Sequence, residues 1–282
     1  MKKWKRFIAA ILAAAISTAA LASCGEKNED TYKVLEEDLG SEVYAIGFRP
    51  DDVALAKEVQ KILDEMVEDG TAAEISEKWF GTNLIINDQD YPADKEIASD
   101  DTSLEDLKER GKFIIGLDDS FPPMGFRDEE NNIVGVDIEL AAEVAERLGV
   151  EFEAQPINWD TKEMELENGN IDCIWNGMTV TDERKEAMFL SKPYLNNRQV
   201  VIVKESSGIE TLADLEGKIV ALQKGSSAEQ ALASSSIADK VTVQTYDENV
   251  TAFMDLQAGR ADAFLVDEVV GNYLLANQEE QK

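Results

Sequence analysis

The chain has no histidine and few cations, and each shortage excludes classes of function. Without histidine, metal sites built on imidazole and Ser-His or Cys-His catalysis are impossible. Lysine and arginine number 27 against 58 aspartates and glutamates, which gives a formal charge of −31. A field this negative repels nucleic acid and anionic lipid and favours solubility. We therefore expect no nucleic-acid partner, no metal and no cofactor.

The amino terminus has the features of a processing segment. Basic residues at positions 2, 3, 5 and 6 precede an apolar stretch at 7–20, which is too short to span a membrane as a mature helix. The following Leu21-Ala-Ser-Cys24 resembles the bacterial lipobox. This resemblance implies cleavage of a signal peptide at 1–23, lipid attachment to Cys24 and anchoring to the outer face of the cytoplasmic membrane. Residues 24–30 are polar and acidic, which indicates a flexible tether. The alternative is an ordinary signal peptide with a chance cysteine.

Cysteine is scarce as well. Only Cys173 follows Cys24, so no intramolecular disulfide is expected even though exported proteins commonly have them. Because Cys173 lies between Ile171 and Ile174, we predict that it is a small core residue.

Two pairs of similar segments indicate two similar α/β units. Leu166-Glu-Asn-Gly169-Asn-Ile-Asp172 is echoed by Leu256-Gln-Ala-Gly259-Arg-Ala-Asp262, and each reads as a helix end, a glycine, an aspartate and a buried strand. Upstream, Ser103-Leu-Glu-Asp-Leu107 and Thr211-Leu-Ala-Asp-Leu215 each read as a Ser/Thr N-cap, an acid three residues on and a short helix. The echo predicts two lobes with a cleft between them.

Alternating helices and strands fill most of the chain. Apolar residues from Leu55 to Met66 mark a helix that ends at Gly70, and a second short helix stops at Gly81. Residues 82–101 have no clear periodicity and are predicted to form a surface linker. From the strand at 113–117 onward, the alternation is typical of parallel α/β sheets. The apolar strand at 200–203 is the expected crossing between the lobes.

Ligands of open α/β sheets bind beyond the carboxyl ends of the strands. The echo places four such ends at 118–121, 176–179, 223–227 and 267. Thr181 is a plausible N-cap with Arg184 three residues on, and a guanidinium at a helix start suits a carboxylate. Alternatively, Arg184 pairs with a neighbouring surface acid, and Asp267 is a helix N-cap.

These segments resemble the extracellular solute-binding proteins of family 3, the receptors of polar amino-acid ABC importers. The matching motifs are Gly135-Val-Asp137-Ile-Glu-Leu140, Asp118-Asp-Ser-Phe121-Pro-Pro, Gly177-Met-Thr179-Val-Thr181-Asp-Glu-Arg184, Ser191-Lys-Pro-Tyr194 and Ala261-Asp-Ala-Phe-Leu-Val-Asp267. The resemblance implies a two-lobed periplasmic-binding-protein-like fold of type II, with a mostly parallel sheet and flanking helices in each lobe. It implies that Arg184 holds the ligand α-carboxylate and Asp267 its α-ammonium. The implied ligand-binding set is Asp118, Phe121, Trp159, Asn176, Gly177, Thr179, Arg184, Gln223, Ser226, Ser227 and Asp267.

The order of segments departs from the family. Tyr44-Ala-Ile-Gly-Phe48, the long helix and Glu77-Lys-Trp79-Phe80-Gly81 resemble the family's carboxyl-terminal segment, yet here they come first. We therefore expect a circular permutant in which residues 82–102 join the usual termini. Lobe 1 would then be residues 46–198, and lobe 2 would be residues 31–45 plus 199–282. The alternative is a leftover fragment of a tandem gene fused in front.

The leading hypothesis is a monomeric, lipid-anchored receptor that closes on a free amino acid and delivers it to an ABC permease. A ligand with a polar side chain, cationic or amide, is favoured because of Asp118, Asn176 and Gln223. One alternative is an enzyme of the cyclohexadienyl dehydratase type, which would need a general acid such as Glu163 or Glu165. Another is an amino-acid sensor without a transport role.

Overall fold

A computed structural model describes residues 30–91 and 94–280, apart from the side chains of 278–280. The predicted signal peptide, Cys24 and most of the tether lie outside the described residues. The strands are β1 (Tyr32–Tyr44), β2 (Gly47–Phe48), β3 (Lys112–Leu117), β4 (Ser120–Phe121), β5 (Gly125–Arg127), β6 (Ile133–Val134), β7 (Glu151–Pro156), β8 (Cys173–Ile174), β9 (Phe189–Leu190), β10 (Leu195–Lys204), β11 (Ile219–Gln223), β12 (Thr242–Tyr246) and β13 (Ala263–Asp267). The α-helices are α1 (Val53–Asp69), α2 (Thr71–Phe80), α3 (Ser103–Arg110), α4 (Val136–Leu148), α5 (Lys162–Glu167), α6 (Asp182–Ala187), α7 (Ser227–Ala233), α8 (Asn249–Gln257) and α9 (Glu268–Glu280).

Two five-stranded sheets organise the fold. The first has the order β7-β3-β8-β2-β9 and the second the order β1-β10-β13-β11-β12. Both are mixed, whereas mostly parallel sheets were expected. β3 runs parallel to β7 and β8, but β2 is antiparallel to both of its neighbours. In the second sheet β11 has two parallel partners, while β10 is antiparallel to β1 and β13. The antiparallel members are the chain segments that cross between the sheets and return.

The echoed aspartates have the same structural role in each sheet. Asp172 accepts a hydrogen bond from the Ile114 amide at 2.8 Å, and Asp262 accepts one from the Ile219 amide at the same distance. In return, the Asp172 and Asp262 amides donate to the carbonyls of Ile114 and Ile219. Gly169 and Gly259 precede them with φ of 72° and 71°, values that favour glycine. Each repeat therefore ends a helix and aligns the next strand, as the sequence predicts.

The amino-terminal helices belong to the first sheet's side of the molecule. α1 ends at Gly70, as predicted, and packs against α2, α3 and α4. The linker caps α1, because Asp101 accepts from the Ala54 amide at 2.7 Å and Ser103 Oγ accepts from the Leu55 amide at 3.1 Å. The sequence predicted Ser103 as the N-cap of α3, and this prediction is wrong. Thr102 takes that position, whereas Thr211 forms the predicted capping box with Asp214.

Two long strands connect the sheets. β1 pairs with β10 along its length, from Tyr32 opposite Lys204 to Tyr44 opposite Leu195. Tyr44 also forms an isolated antiparallel β-bridge with Thr179, which lies after β8 in the chain. Cys173 is fully buried in β8, as predicted, and burial raises the pKa of its thiol. Among the described residues, every helix is too short or too polar to cross a lipid bilayer.

Candidate functional site

One cavity lies where the carboxyl ends of strands from both sheets meet. Its empty volume of about 270 Å³ includes space that is open to solvent. It is lined by eleven residues, the same eleven that the family resemblance implied: Asp118, Phe121, Trp159, Asn176, Gly177, Thr179, Arg184, Gln223, Ser226, Ser227 and Asp267. Two aromatic rings, one guanidinium and two carboxylates thus line one cavity.

The Arg184 guanidinium donates to uncharged backbone carbonyls. Thr181 caps α6 by accepting the Arg184 amide hydrogen at 3.2 Å, as the sequence predicts. The guanidinium is buried, with 6% of the residue exposed, and its Nη1 donates to the Thr179 carbonyl at 2.8 Å. Within the described residues, no carboxylate lies within ion-pair distance of it. Desolvation lowers the pKa of Arg184. A buried cation without a counter-ion is suited to bind a ligand carboxylate.

Asp267 lies at the end of β13 and is held by neutral donors. Its Oδ1 accepts from the Tyr44 hydroxyl and from Asn197 Nδ2, both at 2.7 Å. Burial is the main reason that the pKa of Asp267 lies well above its ordinary value, and the nearby Glu42 raises it further. Glu42 was missed by the sequence analysis. Its Oε1 accepts from Thr179 Oγ1 at 2.9 Å and from Asn197 Nδ2 at 2.6 Å.

Asp118 and Gln223 connect the two sheets directly. Gln223 Nε2 donates to Asp118 Oδ2 at 2.6 Å, and Asn249 fixes the other end of that amide. Asp118 Oδ1 accepts from both the amide and the hydroxyl of Ser120. Burial raises the pKa of Asp118, and these hydrogen bonds oppose the rise only in part. Asp118 can therefore accept a further hydrogen bond or a positive charge from a ligand.

The first sheet also supplies an amide and a glycine to the cavity. Asn176 Oδ1 accepts from the Asp118 amide at 3.1 Å, which fixes the orientation of the carboxamide, while Nδ2 has no partner among the described residues. Gly177 has φ of 55°, and a Cβ there would approach Phe121 to 2.7 Å. Its amide donates to the buried Asp137 at 2.7 Å, and the Tyr194 hydroxyl donates to the same carboxylate. Burial raises the pKa of Asp137 to about 7.

Further contacts cross the cleft around this cavity. Thr179 Oγ1 and Ser227 Oγ lie 3.0 Å apart, and Lys224 pairs with Asp160 at 2.7 Å. Lys162, which the sequence analysis missed, is buried and donates to the carbonyls of Trp159 and Gly225, one on each side. Burial lowers the pKa of Lys162. The two halves are therefore in a closed arrangement.

The acids that an enzyme of this fold would need lie elsewhere. Glu163 pairs with Lys162 at 3.1 Å, and Glu165 accepts from Asn170 at 2.6 Å. Neither lines the central cavity. In the described part of the chain, no group of three or more acidic or cysteine side chains is placed to hold a metal ion.

The sequence is similar to proteins of one known family. The sequence profile of the bacterial extracellular solute-binding proteins, family 3, matches residues 5–82 and 113–265. The L-cystine-binding protein TcyJ of Escherichia coli K12 is 36% identical over 173 residues, which are 61% of this chain and 64% of that protein. The match thus covers less than two thirds of this relative. The glutamine-binding protein of Geobacillus stearothermophilus is 33% identical over 65% of this chain and 71% of its own length.

A solved structure is similar in three dimensions. The substrate-binding protein of an ABC uptake transporter from Streptococcus pneumoniae, solved with bound histidine, superposes with a TM-score of 0.62. It is 37% identical, and the superposition covers 64% of this chain and 76% of that one.

Proposed function

Because the chain belongs to the bacterial extracellular solute-binding proteins of family 3, we propose that it captures a free polar amino acid between its two lobes. The observation that carries the proposal is the cavity, which combines a buried guanidinium and a buried carboxylate that each lack an oppositely charged partner among the described residues. A zwitterion is the ligand that satisfies both. The named relatives bind cystine, glutamine and histidine, which are all amino acids.

In the proposed complex, Arg184 binds the α-carboxylate through its fork of donors. Asp267 accepts the α-ammonium group, with Tyr44 and Asn197 holding the carboxylate in place. Gly177 brings its backbone close to the ligand. Phe121 and Trp159 are the aromatic walls for the aliphatic part of the side chain.

The far end of the cavity favours a cationic or amide side chain. Asp118 is buried and offers acceptor capacity, so a cationic group there would neutralise it. An amide would instead donate to Asp118 and accept from the unpartnered Asn176 Nδ2. A side-chain carboxylate would face Asp118 and is disfavoured. The family thus supplies the class of ligand, and these two residues supply the preference within it.

Closure would be the signal of occupancy. The ligand would touch residues from both sheets, and it would therefore stabilise the closed arrangement that Asp118, Gln223 and Lys162 already support. We propose that this closed form docks on an ABC permease. We also propose that Cys24 carries a lipid; Cys24→Ala should then shift the protein from the membrane fraction to the medium, and continued membrane association of the variant would count against the anchor.

Circular permutation accounts for the order of the segments. β2 precedes the other strands of the first sheet in the chain but pairs between β8 and β9. The family profile matches on both sides of the linker and omits residues 83–112. A variant that joins position 282 to 31 by a flexible linker and opens within 94–100 should fold and bind the same amino acid. Failure of this variant to fold would favour the fused-fragment alternative.

A thermal-shift screen of the unlipidated protein against the common amino acids and cystine tests the binding function. Ligand at 100 times its dissociation constant adds about 2.7 kcal/mol of stability. For a protein of this size that corresponds to an increase of about 5–11 °C in Tm. We expect arginine, lysine, glutamine or cystine to give the largest increase and glutamate a small one. If no amino acid raises Tm, the receptor function is refuted.

A further inference from the structure

A second carboxylate, Glu42, lies beside the proposed ammonium site. It is on β1, whereas Asp267 ends β13, and one amide nitrogen joins them. Asn197 Nδ2 lies 2.6 Å from Glu42 Oε1 and 2.7 Å from Asp267 Oδ1. Glu42 also contributes to the raised pKa of Asp267, so the two carboxyl groups interact. They therefore form a pair rather than two independent acids.

Every hydrogen bond donated to this pair comes from a neutral group. Glu42 Oε1 accepts from Thr179, Asn197 and Gln199, at 2.9, 2.6 and 2.8 Å. Tyr44 and Asn197 donate to Asp267. Within the described residues, neither acid has an ion pair, whereas the nearby Glu163 and Asp160 each pair with a lysine.

The other charged or titratable groups that face the pair do not supply it with an ion-pair partner. Arg184, from α6, is attracted to both acids but lies beyond ion-pair distance. Tyr44 and Tyr194 are fully buried, and burial raises the pKa of each phenol well above its ordinary value, so both stay neutral. Glu268 follows Asp267 but pairs with Arg198 at 2.5 Å. With only neutral donors and a carboxylate neighbour, Asp267 does not ionise readily, because its burial and the nearby negative charge both oppose ionisation.

We propose that Glu42 is the second carboxylate of the ammonium site, that Asp267 holds a proton in the free protein, and that ligand capture releases this proton. The inference rests on the proposed function. When the ammonium group enters, its positive charge replaces that of the proton, and the O–H bond of the Asp267 carboxyl group breaks. The proton leaves to solvent, and both carboxylates then face one cation. Binding is therefore proton-coupled, and affinity rises with pH until Asp267 is ionised in the free protein.

Isothermal titration calorimetry in two buffers of different ionisation enthalpy tests this coupling. L-glutamine, L-arginine, L-cystine and any other amino acid found by the thermal screen serve as probes, since all have the α-ammonium group. We expect release of up to one proton per bound amino acid, and affinity that rises by up to about tenfold per pH unit on the acidic side. Because burial alone also raises the pKa of Asp267, Glu42→Gln should shift the rise to lower pH.

Asp118 is a second buried acid that a cationic side chain could deprotonate, so the variants decide the source of the proton. Glu36→Gln is the matched control, because Glu36 is an exposed acid on the same strand and the charge change is the same. Reduced proton release in Glu42→Gln with normal release in Glu36→Gln supports the proposal. Equal release in both variants, or no release by the native protein while it binds an amino acid, overturns it. Absence of binding by every amino acid defeats the proposed function, and the inference with it.

Discussion

Replacement of Arg184 by alanine isolates the proposed carboxylate contact. The side chain is buried and donates to the Thr179 carbonyl, but no carboxylate of the described residues pairs with it. Its removal therefore breaks no ion pair, but the Thr179 carbonyl loses its donor, which should cost the free protein about 1–3 kcal/mol of stability. A ligand carboxylate, in contrast, would lose its only full positive partner in the proposed complex.

The size of the effect follows from truncation of one member of a buried charge pair. Such truncations cost about 2–5 kcal/mol of binding free energy, a loss of affinity of about thirtyfold to several thousandfold. At a ligand concentration of 100 times the native dissociation constant, the native protein gains about 2.7 kcal/mol and the variant at most about 0.9 kcal/mol. The ligand-induced increase in Tm should therefore fall from about 5–11 °C to less than about 4 °C.

Calorimetry and thermal shift on the same preparation measure both quantities. Arg260→Ala is the matched control, since Arg260 is an exposed arginine that pairs with Asp255 on the second sheet's side and does not line the cavity. The control should keep the native affinity. If Arg184→Ala retains the native dissociation constant and the full ligand-induced increase in Tm, the carboxylate assignment is refuted.

Two other changes test the first sheet's contribution. Gly177→Ala should lower Tm and weaken binding, because the new Cβ would lie 2.7 Å from the Phe121 ring. Gly149 is the control, since it also has a left-handed φ but open space around it. Gly149→Ala should therefore show the backbone cost alone, about 1–2 kcal/mol in denaturant unfolding. Similar losses in both variants would contradict the steric reasoning. Asp137 has a pKa of about 7 in the fold, raised from 3.8, so its contribution to stability is full at low pH and is lost as pH rises toward 7. Asp137→Asn should reduce the fall of the unfolding free energy with pH in this range, whereas the same change at the exposed Asp239 should leave it unaltered. An unchanged slope in Asp137→Asn would refute the raised pKa of Asp137.

The sequence predicted the cavity residues well because they follow strand ends in a repeated pattern. The helix–glycine–aspartate–strand repeat marks where β8 and β13 begin. The polar residues that follow each of these strands therefore lie at its carboxyl end, where ligands of such sheets bind. Glu42 has no such marker. It lies among other acids of β1, and only the pairing of β1 with β10 brings it to Asn197 and Gln199. Lys162 was missed for a related reason, because its two carbonyl partners come from different lobes.

The order of segments gives β1 a combined role. β1 is the first strand after the predicted tether, it pairs with β10 along the crossing, and it carries both Glu42 and Tyr44 to the proposed ammonium site. A ligand that draws Glu42 and Asp267 onto one cation would therefore pull on the strand that connects the sheets. Thr179, on the first sheet's side, belongs to the same group because its hydroxyl donates to Glu42. Charge neutralisation and lobe closure then depend on the same few hydrogen bonds, so a change that uncouples the proton from binding should also weaken closure.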